Sequence, residues 1–507
     1  MDFAQFIIDL LLFLTYTFAL ILLLTWCFRF WKMFVHSKYN NGLDWIMLEI
    51  KLPREINKNP IAMEIALNSF LQSGGIGTTY AREIQGKLPI YFSLEIASLE
   101  GTVHFYIRTE RKFKSFIEAN FYSQYPGIEI TEADDYTQKI RYEHLKQNQN
   151  SFWGVRYKTA ATWNPYPEEK EKNGNPKYKM PADFKPIKTF VDFGLDKDPK
   201  EEFKNDPITP LIEFLGSMGK GEYAWYQILV QDSEGIFDTK KFPKTYVDPK
   251  THEHMNLGDM AKKRKEQIRK VLKAKKGDQV KDENGNPRTK PAEKDKEGNV
   301  IKDAEPILYG EDKYDSKGDM QLSQEEKDEI EAINRKLSKP LVRVVIRLIY
   351  ITKGRSTKMI DRIQGLLGIM RPYSTTTLNK MGLSPSDPYD YPWQNTRKRR
   401  TPWRSEEMFN AYVEREGLMP HIGKRDTLDK NEDLFFFPYK TYVRNTWRMF
   451  YEAIFHPFDH PHPDDVCTLN LEELASLWHF PGAVAQTPTL PRIDSTKGVA
   501  PTNLPTM

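Results

Sequence analysis

Apolar and polar residues alternate from Trp45 to Leu52: Ile46, Leu48, Ile50 and Leu52 share one face, while Met47, Glu49 and Lys51 share the other. A period of two predicts a half-buried strand. Asn59-Pro60 supplies a cap followed by proline at a first helical turn, and Met63, Leu67, Phe70 and Leu71 recur at helical spacing behind it. Phe92, Leu94 and Ile96 alternate in a second strand, and Val103, Phe105 and Ile107 in a third. Glu100-Gly101 between them reads as a hairpin turn. Phe113, Phe116, Ile117 and Phe121 make a second helical stripe, Pro126-Gly127 stops it, and Ile128 and Ile130 open a fourth strand. The order is β-α-β-β-α-β, the ferredoxin-like split unit.

The order recurs further on. Ile187–Leu195 is strand-like, Asp206-Pro207 repeats the cap-then-proline start, and Leu211, Phe214, Leu215 and Met218 form a stripe. Tyr223–Gln231 and then Val342, Val344, Ile346, Leu348 and Tyr350 read as strands. Met359, Ile360, Ile363, Leu366, Leu367 and Met370 draw an amphipathic helix. The fold class expected is α+β, with tandem ferredoxin-like units at 41–140 and 186–385 joined by a linker at 141–185. An insertion at 235–336, too long for a hairpin loop, separates the central strands of the second unit. Within it Met260–Lys276 is a basic helical stretch and Ser323 with Glu326 forms a capping box.

A helical extension is expected over 386–480 and an extended, proline-rich tail over 481–507. Asn470 and Glu473 cap a short helix carrying Leu471, Leu474, Leu477 and Trp478. This apolar patch either packs on the body or docks a partner, and it is the candidate docking site.

One run breaks both periodicities. Leu10 to Phe28 carries no charge, which predicts a single transmembrane helix within an anchor at 1–40 that contacts the lipid bilayer through residues 10–28. Asp2 and Asp9 replace the basic start of a signal peptide. Arg29, Lys32 and Lys38 follow the run with no basic residue before it, so the expected localisation is single-pass in the inner (cytoplasmic) membrane with the C-terminal body cytoplasmic.

Charge adds little. The 507 residues hold 74 basic and 70 acidic side chains, a net charge of +4, which gives no global field for nucleic acid and leaves direct binding of it open. Two cysteines, Cys27 and Cys467, do not make a disulfide framework. No phosphate-binding loop is present: neither Gly216–Gly221 nor Thr352–Thr357 has the spacing. No zinc-protease, nucleophile-elbow or paired C-x-x-C pattern occurs either. His456, His460, His462 and Cys467 cluster among prolines that hold the segment extended, so no metal site is assigned. The expectation is no catalytic residue, no cofactor and no metal, hence not an enzyme.

Three stretches carry a family likeness: LEIKLPREINKNPIAMEIALNSFL from Leu48, YFSLEIASLEGTVHFYIRTERKFKSFIEANFYSQYPGIEITEADDY from Tyr91, and LNLEELASLWHFPGAVAQTPTLPRI from Leu469, with APTNLP behind. They resemble the N-terminal, membrane-proximal region of a bacterial family of conjugative-transfer, type IV coupling-protein-like ATPases. In fused members a motor follows near Asn503–Pro505, where this chain stops. The resemblance implies a non-enzymatic, membrane-anchored adaptor or assembly component of a DNA or protein translocation apparatus. It further implies a separate P-loop ATPase as partner and allows a homo-oligomer. The alternative is a stand-alone envelope scaffold or binding protein.

Overall fold

Trp45–Pro53 (β1), Pro60–Asn68 (α1), Tyr91–Leu99 (β2), Thr102–Glu110 (β3), Lys114–Gln124 (α2) and Glu129–Ala133 (β4) follow one another in the first half of the protein. The second half is built from Phe152–Thr159 (β5), Thr209–Gly216 (α3), Glu222–Asp232 (β6), Leu341–Thr352 (β7), Met359–Gly368 (α4) and Met381–Ser384 (β8). Cys467–Asn470 (β9), Leu471–Leu477 (α5) and Arg492–Ile493 (β10) complete it. The computed structural model describes residues 42–140, 152–196, 206–232, 246–274, 321–353, 359–384, 405–415, 466–482 and 490–493, with short gaps, together with parts of 7–40 and three short strands between 293 and 316. Most of the helical extension expected over 386–480, including the histidine cluster at 456–462, lies outside the described residues.

The class is α+β around a large antiparallel sheet of ten strands, ordered β8-β5-β7-β6-β2-β3-β1-β10, with β9 on β7 and β4 on β1. Each half therefore has the spatial order fourth-first-third-second, β4-β1-β3-β2 and β8-β5-β7-β6. The halves meet where β2 and β6 pair antiparallel, from Tyr91 opposite Gln231 to Leu99 opposite Tyr223. The alternation read from sequence sets the two faces. Leu48, Leu94, Phe105, Ile228 and Ile346 point to one side, where Met63, Phe121, Leu215, Leu366 and Leu474 of the five helices close the main core. Glu100 and Gly101 turn the β2–β3 hairpin with φ of 54° and 94°, both left-handed.

The N-terminal element corrects the expectation. Among the described residues no helix is long and apolar enough to cross a membrane. Residues 9–17 of the run are helical. Most of the remainder of the run, to residue 28, lies outside the described residues. The transmembrane helix, the bilayer contact through 10–28 and the single-pass inner-membrane localisation with its cytoplasmic body are set aside on this finding.

The second half is corrected too. Its first strand is β5, not Ile187–Leu195, so the segment read as a linker contains it. Residues 187–196 form turns that bury Ile187, Phe190 and Leu195. The Ile187 and Phe190 N–H groups are satisfied by side chains of α5 rather than by a neighbouring strand. The Ile187 N–H donates to Glu473 Oε1 at 2.8 Å and the Phe190 N–H to Ser476 Oγ at 2.8 Å. The Thr189 hydroxyl donates to Glu472.

A separate compact unit comprises 162–180 and 243–337. Helices Leu257–Arg269 and Gln324–Ser338 are tied by Arg264 Nε to Glu329 Oε1 at 2.8 Å, with Ile268, Leu322 and Ile330 packed together. Ser323 and Glu326 exchange their capping bonds.

Candidate functional site: a polar row across the sheet

Side chains directly opposite one another on neighbouring strands share a face. The pairings Thr131–Glu49, Glu49–Tyr106, Tyr106–Glu95, Glu95–Gln227, Gln227–Arg347 and Arg347–Arg156 therefore run one line of polar residues across seven strands, on the face away from the five helices. Flanking apolar positions on that face, Met47, Ala97, Trp225, Ile349 and Ile351, form a second core with Tyr136, Met408, Phe409 and Tyr412.

The centre of the row is closed. Residues 408–413 are helical and lie over it, and Arg415, with φ of 54°, turns its side chain back onto the sheet. Arg415 Nε donates to Glu95 Oε1 at 3.1 Å and Nη2 to Glu95 Oε2 at 3.2 Å. Nη1 and Nη2 also reach the two oxygens of Asp135, at 2.5 and 3.0 Å. Glu95 accepts further bonds from Ser93 Oγ (2.6 Å), Tyr136 Oη (2.7 Å) and Gln227 Nε2 (3.0 Å). Arg347 Nη1 donates to the Ala411 carbonyl at 2.7 Å, and Tyr136 and Tyr412 share a bond of 2.8 Å.

Two guanidinium groups, Arg347 and Arg415, and two carboxylates, Glu95 and Asp135, thus meet above the seam, and the buried Arg108 adds a third positive charge that acts on Glu95 and Arg415. Burial would raise the Glu95 and Asp135 carboxyl pKa values, but the Arg415 charge and the hydrogen bonds outweigh it and hold both below the usual range. Burial likewise opposes the charge on Arg415, and its two carboxylate partners more than restore it. Such a clasp is a lock between the 408–415 segment and the sheet seam.

At its β1 end the row opens. The Glu49 and His104 side chains retain about a fifth of their exposure, 20% and 22%, and His104 Nδ1 lies 2.6 Å from Glu49 Oε1. A carboxylate can only accept here, so Nδ1 carries the proton and Nε2 faces away. The hydrogen bond from His104, which outweighs burial, lowers the Glu49 pKa; His104, Lys51 and Lys139 add charge attraction. The His104 ring stacks on Tyr106 at 5.8 Å, and Tyr106 on Tyr136 at 5.0 Å.

The four residues read from sequence as a docking patch lie elsewhere. Leu471, Leu474, Leu477 and Trp478 are brought together in the main core and are at most 1% exposed. Trp478 packs edge-on against Phe105 and Phe121, at 5.9 and 6.4 Å. Beside α5 a groove of about 350 Å³ is lined by Ile61, Ile65, Phe190, Val191, Leu471 and Lys339. Lys339 is held there by Glu64 and Glu472, at 2.7 and 2.9 Å. Among the described residues no group of three histidine, cysteine or acidic side chains could hold a metal.

Sequence reasoning missed Glu49, Glu95, His104 and Arg415. For the first three the only signal was a polar residue at the alternate positions of β1, β2 and β3, and it needed the strand register to become a row; Arg415 lies off the sheet.

Comparison of the chain with protein-family models, curated proteins and solved structures finds no match. Nothing in these comparisons supports the conjugation or type IV secretion reading, which is set aside together with the membrane anchor.

Proposed function

We propose that this protein is a non-enzymatic scaffold or binding protein whose two half-sheets act as one rigid platform. The observation that supports this reading is the seam. β2 and β6 pair along their lengths, and the polar groups above the seam are spent on one another in the Glu95–Arg415 clasp. A closed, hydrogen-bonded network favours fixed geometry over turnover. A separate P-loop motor as partner is the narrower form of the proposal. With Leu471, Leu474, Leu477 and Trp478 in the core, a motor would engage surfaces other than this patch.

The test has two arms. A photo-crosslinking residue placed at Ile65, Tyr80 or Ile360, all exposed apolar positions, should capture one macromolecule in near-stoichiometric yield from the native cell. The purified full chain should leave ATP, phosphoesters and carboxylic esters intact. Turnover that a point change in this chain abolishes would overturn the scaffold reading.

A further inference from the structure

The open end of the polar row has a property that a scaffold does not require. An imidazole whose Nδ1–H is held by a carboxylate has its tautomer and ring orientation fixed, and its other nitrogen is an available base and nucleophile. His104 meets both conditions: Glu49 Oε1 stands 2.6 Å from Nδ1, and stacking on Tyr106 fixes the plane of the ring. Among the described residues Nε2 has no hydrogen-bond partner, and it is not one of the buried unpartnered atoms. We propose that His104 Nε2 is a phosphoryl-accepting position, modified by a small phosphoryl donor with a good leaving group.

The local charge suits an incoming phosphoryl group. Lys51 and Lys139 both act electrostatically on Glu49. Lys51 already pairs with Glu129 at 3.1 Å. Lys139 is exposed, has no ion-pair partner among the described residues, and is a cation available to the incoming oxygens. Glu49 stabilises the positive charge that the ring acquires as its second nitrogen forms a bond.

The step balances without a redox partner. The Nε2 lone pair attacks phosphorus, the N–P bond forms as the bond from phosphorus to the leaving group breaks, and the Nδ1 proton stays between the ring and Glu49. With phosphoramidate as donor the P–N bond breaks and ammonia departs with the protons it already carries. The product puts a dianionic group at the rim of the sheet face, beside Tyr106 and Glu49, where it repels acidic partners and recruits basic ones.

The experiment is phosphorylation of the full-length protein by phosphoramidate, followed by ³¹P NMR and site mapping. Of the ten histidines, His104 should be modified first, at Nε2, giving an acid-labile and alkali-stable adduct. His104→Gln should remove that fast phase, Glu49→Gln should slow it roughly tenfold, and Lys139→Ala should slow it a few-fold. Circular dichroism of each variant establishes that the sheet is retained. Uniform slow labelling of all histidines, modification of His104 at Nδ1, or a fast phase indifferent to Glu49→Gln would each overturn the proposal.

Discussion

Glu95 and Gln227 face each other across the junction of the two half-sheets, and Gln227 Nε2 donates to Glu95 Oε1 at 3.0 Å. They occupy corresponding places on corresponding strands, β2 and β6, yet one is a charged acid and the other a neutral amide. The asymmetry has a physical reason. Two carboxylates directly opposed in a buried site would repel, whereas an amide supplies the acid with a donor. It also leaves Glu95 one charge for Arg415 to neutralise.

Removing that guanidinium strands buried carboxylates. Arg415→Ala should cost about 3–5 kcal/mol, the range for breaking one partner out of a buried ion pair. Urea denaturation followed by the fluorescence of the buried Trp225 reads it. Glu95 and Asp135 have lowered pKa values, so their contribution is present above the ordinary carboxylate range and lost as pH falls through their folded values. The gap between wild type and Arg415→Ala should therefore narrow towards acid.

A second pair predicts the alkaline side. His479 Nε2 lies 2.9 Å from Asp206 Oδ1 and Nδ1 lies 2.8 Å from the Ala475 carbonyl, so both ring nitrogens face acceptors and the imidazolium is the form that fits. Burial opposes this charge, but Asp206 and the helix carbonyls outweigh it, and the histidine pKa is raised. Stability from His479 is full below its ordinary value of ~6.5 and disappears as pH rises through the folded value. Asp206 is lowered, burial being outweighed by His479, so its share is present above ~3.9 and lost as pH falls through its folded value. Wild type should exceed His479→Gln most between about pH 4 and 6.5, with the difference shrinking above that window. Equal pH profiles for the two proteins would refute the assignment.

Helix α5 should be needed for folding rather than for docking. Glu473→Ala strips acceptors from the Ile187 and Asn470 N–H groups and should cost about 1–3 kcal/mol. Trp478→Ala empties a fully buried site and should cost about 3–5 kcal/mol. Thermal melts of both variants check this, and wild-type melting temperatures would return the patch to surface duty.

Gly365 tests the packing of α3 on α4. A Cβ there would lie 2.2 Å from the Phe214 ring, so Gly365→Ala should lower stability by about 1–3 kcal/mol despite its better helix propensity. Adding Phe214→Leu should recover part of the loss in a denaturant titration.

The first half was readable because β1, β2 and β3 alternate cleanly and the helix between β1 and β2 starts with Asn59-Pro60. The first strand of the second half was not. Phe152–Thr159 has a glycine at Gly154 and basic residues at Arg156 and Lys158, while the apolar run at 187–195 imitates a strand. Sequence cannot reveal that Glu473 and Ser476, nearly three hundred residues later, supply the hydrogen bonds that let this run be a buried loop. The uncharged run at 10–28 was read from composition alone, and among the described residues no helix is long and apolar enough to cross a membrane. The Glu49–His104 pair, 55 positions apart, emerges only when two strands are placed in register.

The late position of β9 and α5 bears on how the protein is made. β9 joins β7, and α5 closes the core over α1 and the 187–196 turns, yet β9 and α5 are translated long after β7 and α1. Until then the nascent chain exposes the apolar ground that Leu474 and Trp478 will cover, together with an unpaired stretch of β7. Such intermediates are prone to associate. Synthesis is therefore a race between translation of β9 and α5 and association of the elements made before them.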